Sequence, residues 1–154
     1  MSTFNGLPAH VLLVHFVVVL APLTAVLAIL CVVWPAARRR FVWLTLALSV
    51  LTLALTPLTT EAGEWLEHRI GESPALEIHA ERGDTMLYVA IALVVATALV
   101  ALLHLRPFAT MPTVIIAVVV IAVSAAAMVQ VVRIGDSGAQ AAWGDFAANT
   151  QAGN

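Results

Sequence analysis

Lysine is absent from this chain, and its seven basic residues are all arginine. Charged residues make up only 10% of the sequence against 62% hydrophobic, and mean hydropathy is +1.01, so water is not the main solvent of the folded protein. No basic face exists that would track a phosphate backbone, which excludes nucleic acid as a partner. The one cysteine, Cys31, lies inside an apolar run, so an intramolecular disulfide is excluded and the thiol is expected only to pack. A Gly-rich phosphate loop, a Cys-x-x-Cys or haem-attachment motif and a Ser-His-Asp set are also missing, as are internal repeats. Enzymatic chemistry therefore has no recognisable signature here.

What the chain has in abundance is long apolar runs. Four stand out, Val11 to Trp34, Phe41 to Leu58, Thr85 to Leu105 and Thr113 to Val132. About 20 apolar residues cross a bilayer core, so each qualifies as a span. The first follows a segment without Arg or Lys and precedes an Arg triplet, unlike a cleavable signal peptide, and is expected to remain in the mature protein. The fold class expected is an all-α membrane protein, a four-transmembrane-helix bundle with an extramembrane helical hairpin over residues 61–84 that extends helices 2 and 3. A single domain is expected over 1–146. The tail from Gly135 is rich in Gly, Ala and small polar residues, and 147–154 is expected to be disordered.

Arginine placement sets an expected topology, because positive residues in short loops are retained on the cytoplasmic side. Arg38, Arg39 and Arg40 separate the first two runs, and Arg106 separates the last two. Between Glu61 and Asp84 lie six Glu and one Asp against Arg69 and Arg82, so the hairpin and both termini are expected outside the cytoplasm. The Ala, Val and Arg bias is that of a GC-rich bacterial genome, which places the chain in a plasma membrane. Trp34, Phe41, Trp43 and Phe108 flank the arginines, as depth-setting rings do at a headgroup boundary. Gly71, Ser73 and Pro74 predict how the hairpin turns: an αL residue to close one helix, then an N-cap and first-turn proline for the next.

Five histidines carry most of the chemical interest. His15 lies about 6 Å inside the first span, where an ionisable group is either functional or hydrogen-bonded to a neighbouring carbonyl. His10 sits at the boundary and points about 140° away from His15, so one ion cannot easily take both. Glu61, Glu64 and His68 recur at i, i+3 and i+7 on one helix stripe, a spacing that can converge on a metal but equally describes a solvated acidic face. Opposite them, Ala62, Trp65, Leu66 and Ile70 form an apolar face. In the second arm His79 shares a face with Ala75, Leu76, Ala80, Gly83 and Met86, so its ring needs a partner: a ligand, a carboxylate or a carbonyl. Helical rise places Glu64 and His79 both about 9 Å beyond the membrane boundary, a matched pair, and His68 about 15 Å beyond it. His104 beside Arg106 reads as a boundary residue.

Helix 2 also carries Thr45, Ser49, Thr52, Thr56 and Thr59 at helical spacing. Such a stripe either packs helices closely through interhelical hydrogen bonds or forms a polar track toward Glu61 and Glu64. Pro22 and Pro57 interrupt the first and second spans.

The opening Gly6-Leu7-Pro8-Ala9-His10-Val11-Leu12-Leu13-Val14-His15-Phe16 is similar to the His-Pro-x-x-Val-His-Phe-Pro start of the DUF2231 family of predicted membrane proteins, with His10 and His15 matching both histidines and Val11 and Val17 standing where prolines are usual. Thr60-Glu61-Ala62-Gly63-Glu64 through His68, and Glu77-Ile78-His79-Ala80-Glu81, resemble the family's acidic segment and its His-Glu element. Residues Arg133 to Trp143 resemble its Gly-x-Ser-Gly-Ala-x-x-x-Trp ending. The resemblance implies a four-helix layout without an assigned activity. Some relatives are joined to cytochrome c-like modules, which leans toward redox work.

The functional expectation is an outward-facing site lined by His10, His15, Glu61, Glu64, His68 and His79. Such a site would bind a divalent transition metal or a b-type haem for electron transfer or metal handling. The rivals are an accessory subunit that packs against a respiratory or redox complex, and a small proton-coupled carrier acting as a homodimer.

Overall fold

The computed structural model describes residues 3–4, 7–71, 73–106 and 108–152, with side chains from 8 to 69, at 71, from 73 to 106 and from 108 to 144. Gly6 of the opening motif, the side chain of Ile70 and residues 153–154 lie outside the described residues. A two-residue antiparallel ladder, β1 (Thr3–Phe4) with β2 (Leu7–Pro8), precedes four helices: α1 (Ala9–Val33), α2 (Pro35–Ile70), α3 (Pro74–Leu105) and α4 (Thr110–Ala152). Each helix packs on its sequence neighbours, α1 closes the ring against α4, and α1 and α3 face each other diagonally. All four are long and apolar enough to cross a membrane.

The side-chain distribution explains why lipid is the solvent. Ala21, Ala25 and Ala28, spaced i, i+4 and i+7 on α1, are fully buried, as are Ala90 and Ala127 on α3 and α4. Large residues face out instead: Val19 is 62% exposed, Leu105 63% and Val118 61%. Small residues let helix backbones approach in a medium that offers no hydrophobic drive between them, while branched side chains meet acyl chains.

Helix lengths separate α1 from the others. At about 1.5 Å per residue, the 25 residues of α1 span about 38 Å and the 43 of α4 about 65 Å, against a hydrocarbon core of roughly 30 Å. The 36 residues of α2 and 32 of α3 make each a span and a hairpin arm in one helix. The hairpin turns as its residues predict, with one difference. Gly71 has φ 91° but ψ 159°, a region open to glycine outside αL. The Ser73 hydroxyl then accepts from the Leu76 N–H at 3.3 Å with Pro74 in the first turn.

Further features differ from the reading of the sequence. The Arg triplet is not a loop, because Pro35 starts α2 and only Trp34, extended at φ −124° and ψ 104°, separates it from α1. The second is α4, which runs through the Gly- and Ala-rich tail to Ala152, including 147–152 where disorder was expected. Ser137 and Gly138 of its overhang meet His79 of the hairpin. The ladder before α1 had no counterpart in the sequence reading.

The hydroxyl stripe of α2 packs. Thr45, Ser49, Thr52, Thr56 and Thr59 are all buried, and each donates to a carbonyl three or four residues earlier, at 2.7–2.8 Å. Ser49 also meets Thr97 of α3 at 2.8 Å, and Thr45 lies 3.7 Å from the Cys31 sulfur. Trp43 stacks edge-on with His104 at 6.3 Å, consistent with boundary roles for both.

Candidate functional site

At the hairpin end, where α2, α3 and α4 outgrow the bilayer core, the four helices enclose a cavity of about 270 Å³. Val14, Val17, Met86, Val131 and Ile134 supply apolar wall, while His10, Glu64, Glu67, His79 and Asp84 bring titratable groups and Thr56, Thr59 and Thr60 bring hydroxyls. The upper end of the α2 stripe thus opens into the cavity whose lower part it seals.

His10 and His79 meet across this space with ring centroids 6.3 Å apart and planes at 85°. The His10 Nδ1 lies 2.9 Å from the Thr59 carbonyl oxygen, which can only accept, so Nδ1 carries the proton and Nε2 keeps a lone pair. The Ser137 hydroxyl of α4 donates to the Ile134 carbonyl at 3.0 Å, so its oxygen accepts from His79 Nδ1 at 3.2 Å. His79 is therefore the same tautomer, again with Nε2 free to ligate or accept. Burial pushes the His79 imidazole below its usual range, and the His10 ring adds to that. A backbone contact with Ile134 opposes the shift, and the Arg82 charge reinforces it.

Glycines make room for both rings. A Cβ on Gly63 would lie 3.0 Å from His10 Nδ1, and one on Gly138 would lie 3.0 Å from His79 Cε1. Neither helix could carry a larger residue there without displacing an imidazole.

The residues singled out from sequence separate into two groups. His10, His79 and Glu64 share the cavity, as the matched heights of Glu64 and His79 anticipated. Glu61 and His68 are exposed and do not line it, although they share a stripe with Glu64. His15 is also exposed, and its Nδ1 bonds to the Val11 carbonyl of its own helix, the non-functional alternative for that position. No group of three His, Cys, Asp or Glu side chains that could hold a metal converges among the described residues. Sequence reasoning missed Ser137, Gly138 and Gly63 as partners of the two rings. Their signals were present in the Gly135-x-Ser137-Gly138 run and in the small residue within the acidic segment.

These features define a polytopic helical membrane protein with a histidine-bearing recess at the hairpin end. Residues 6–151 match the family model described as predicted membrane protein (DUF2231). The match covers nearly the whole chain, which belongs to this family. No curated protein and no solved structure gives a significant match.

Proposed function

We propose that this membrane protein binds a divalent transition-metal ion in the recess, through His10 Nε2 and His79 Nε2 with water in the remaining positions. The observation that carries this reading is the shared tautomer. Both imidazoles come from different helices, and each commits its Nδ1–H to a protein oxygen, the outer-shell arrangement that orients metal-ligating histidines. Volume supports a metal over haem. A recess of about 270 Å³ lies below the usual range for organic ligands, which favours an ion with its waters over a b-type haem. Two imidazole nitrogens suit Zn, Cu, Ni or Fe better than Mg or Ca.

The orientation proposed puts the recess and both termini outside the cytoplasm of a bacterial plasma membrane, since Arg38 to Arg40 and Arg106 cluster at the opposite end. Metal handling or delivery to a redox partner at that surface follows from such placement.

A second reading has its own support. The same two hydrogen bonds join α1 to α2 and α3 to α4, so the histidines also brace a purely structural accessory subunit. Calorimetric titration of the detergent-purified protein with Zn²⁺ and Cu²⁺, beside elemental analysis and a visible spectrum, separates the readings. Stoichiometric binding lost in His10→Ala and in His79→Ala supports the metal. An absence of binding, with both variants merely less stable, leaves the brace, and a Soret band assigns haem. A thiol introduced at Ser73 should react with an impermeant reagent from outside intact cells, and reaction only after lysis overturns the orientation.

A further inference from the structure

A second cluster of charge lies outside the recess, in a groove between α3 and α4 lined by Glu81, Arg82, Thr85, Val89, Gln130 and Arg133. Its base is braced across the two helices. The Gln130 amide donates to the Arg82 carbonyl at 3.1 Å and to the Thr85 hydroxyl at 2.5 Å, and the Arg82 guanidinium donates to the Arg133 carbonyl at 3.2 Å. One N–H of Arg82 is used in this way, and its guanidinium has others to offer. Arg133 is exposed beside it.

Depth distinguishes this pair from ordinary surface arginines. The apolar runs begin at Thr85 on α3 and end at Val132 on α4, so Arg82 and Arg133 stand within one turn of the hydrocarbon boundary, at headgroup level. Just below them the surface is apolar and outward-facing, with Val129, Val132 and Tyr88 all exposed. The hairpin end is otherwise acidic, yet here two guanidiniums share a groove with one glutamate and leave it a net positive charge. At about 610 Å³ the groove also exceeds what a small inorganic anion fills.

We propose that this groove binds the phosphate headgroup of a membrane phospholipid. Arg82 and Arg133 hold the phosphate oxygens, and an acyl chain runs down past Val89. Guanidinium suits that task because its planar fork matches two phosphate oxygens at once. Occupied by lipid, the groove ties α3 to α4.

The test uses the full chain in an uncharged detergent, with short-chain phosphatidylglycerol as probe and diacylglycerol and inorganic phosphate beside it. Phosphatidylglycerol is expected to raise the thermal midpoint, and Arg133→Gln to weaken its binding about tenfold, the loss of one charge-assisted contact. That variant keeps the brace, because Arg82 bonds the backbone oxygen of position 133 and not its side chain. Equal stabilisation by diacylglycerol, or unchanged affinity in Arg133→Gln, overturns the proposal. Inorganic phosphate binding as tightly as the lipid makes the groove a soluble-anion site and overturns the lipid assignment.

Discussion

The two ends of this bundle are built to different rules. At the arginine end Ala28, Cys31, Val32, Val42, Ala96, Val100, Ala101, Leu103 and Val120 form one continuous buried cluster. At the hairpin end the buried apolar cluster shrinks to Val17, Ala21, Met86 and Val131, and three of these, Val17, Met86 and Val131, form wall of the recess. Tight packing is concentrated at the arginine end, and it loosens where polar groups converge. The larger core and the proposed binding site thus occupy separate regions along one set of helices, an arrangement that mutations can pull apart.

Truncating the arginine-end core has the largest expected effect. Leu103→Ala should destabilise by about 3 kcal/mol in mixed-micelle unfolding while leaving metal affinity unchanged. Met86→Ala, beside an existing cavity where fewer neighbours are lost, should cost about half as much and alter affinity. Equal costs would show that the two ends contribute alike. Next comes Gly138→Ala, whose new methyl displaces the His79 ring and should weaken metal binding about tenfold by calorimetry. Gly135→Ala, with nothing within 4 Å of its added carbon, is its control. It should stabilise by about 0.5–1 kcal/mol through helix propensity alone.

A smaller effect concerns acid. The folded pKa of His79 lies below its ordinary 6.5, so the unfolded chain binds the proton more readily. Its contribution is fully present above about pH 6.5 and is lost as pH falls from there through the depressed folded value. In chelator, the thermal midpoint should drop more steeply between pH 7 and 5 for the native protein than for His79→Gln. Parallel slopes would assign the acid sensitivity to the carboxylates. The least effect belongs to Ser124→Ala. That buried hydroxyl has no hydrogen-bond partner among the described residues, so its removal should be neutral or stabilising by up to about 1 kcal/mol, read from the same unfolding curves.

Much of the architecture was legible because a bilayer imposes a coarse rule: runs of about 20 apolar residues become spans, and the four were plain. The extent of α4 was not, because Gly135, Gly138 and Gly144 lower local helix propensity and no apolar stripe compensates. Tertiary contact decided it, with Ser137 and Gly138 seating the His79 ring. In the recess, rise per residue was enough to place Glu64 and His79 at one level, and both line the cavity. It could not tell which stripe of α2 faces inward, so Glu61 and His68 fell beside Glu64 in the sequence and outside the cavity in space. His15 is the instructive miss, since depth alone marked it as functional while its direction, away from His10 on the same helix, turned it to the bundle's exterior and back onto its own backbone.

The Ala-lined seam of α1 has one more consequence. Below the recess Ala21, Thr24, Ala25 and Ala28 close completely against their neighbours, and Ser49 meets Thr97 on the facing pair of helices. Among the described residues that seam floors the chamber, so under the metal-binding reading proposed above an ion would be held at the hairpin end of the bundle.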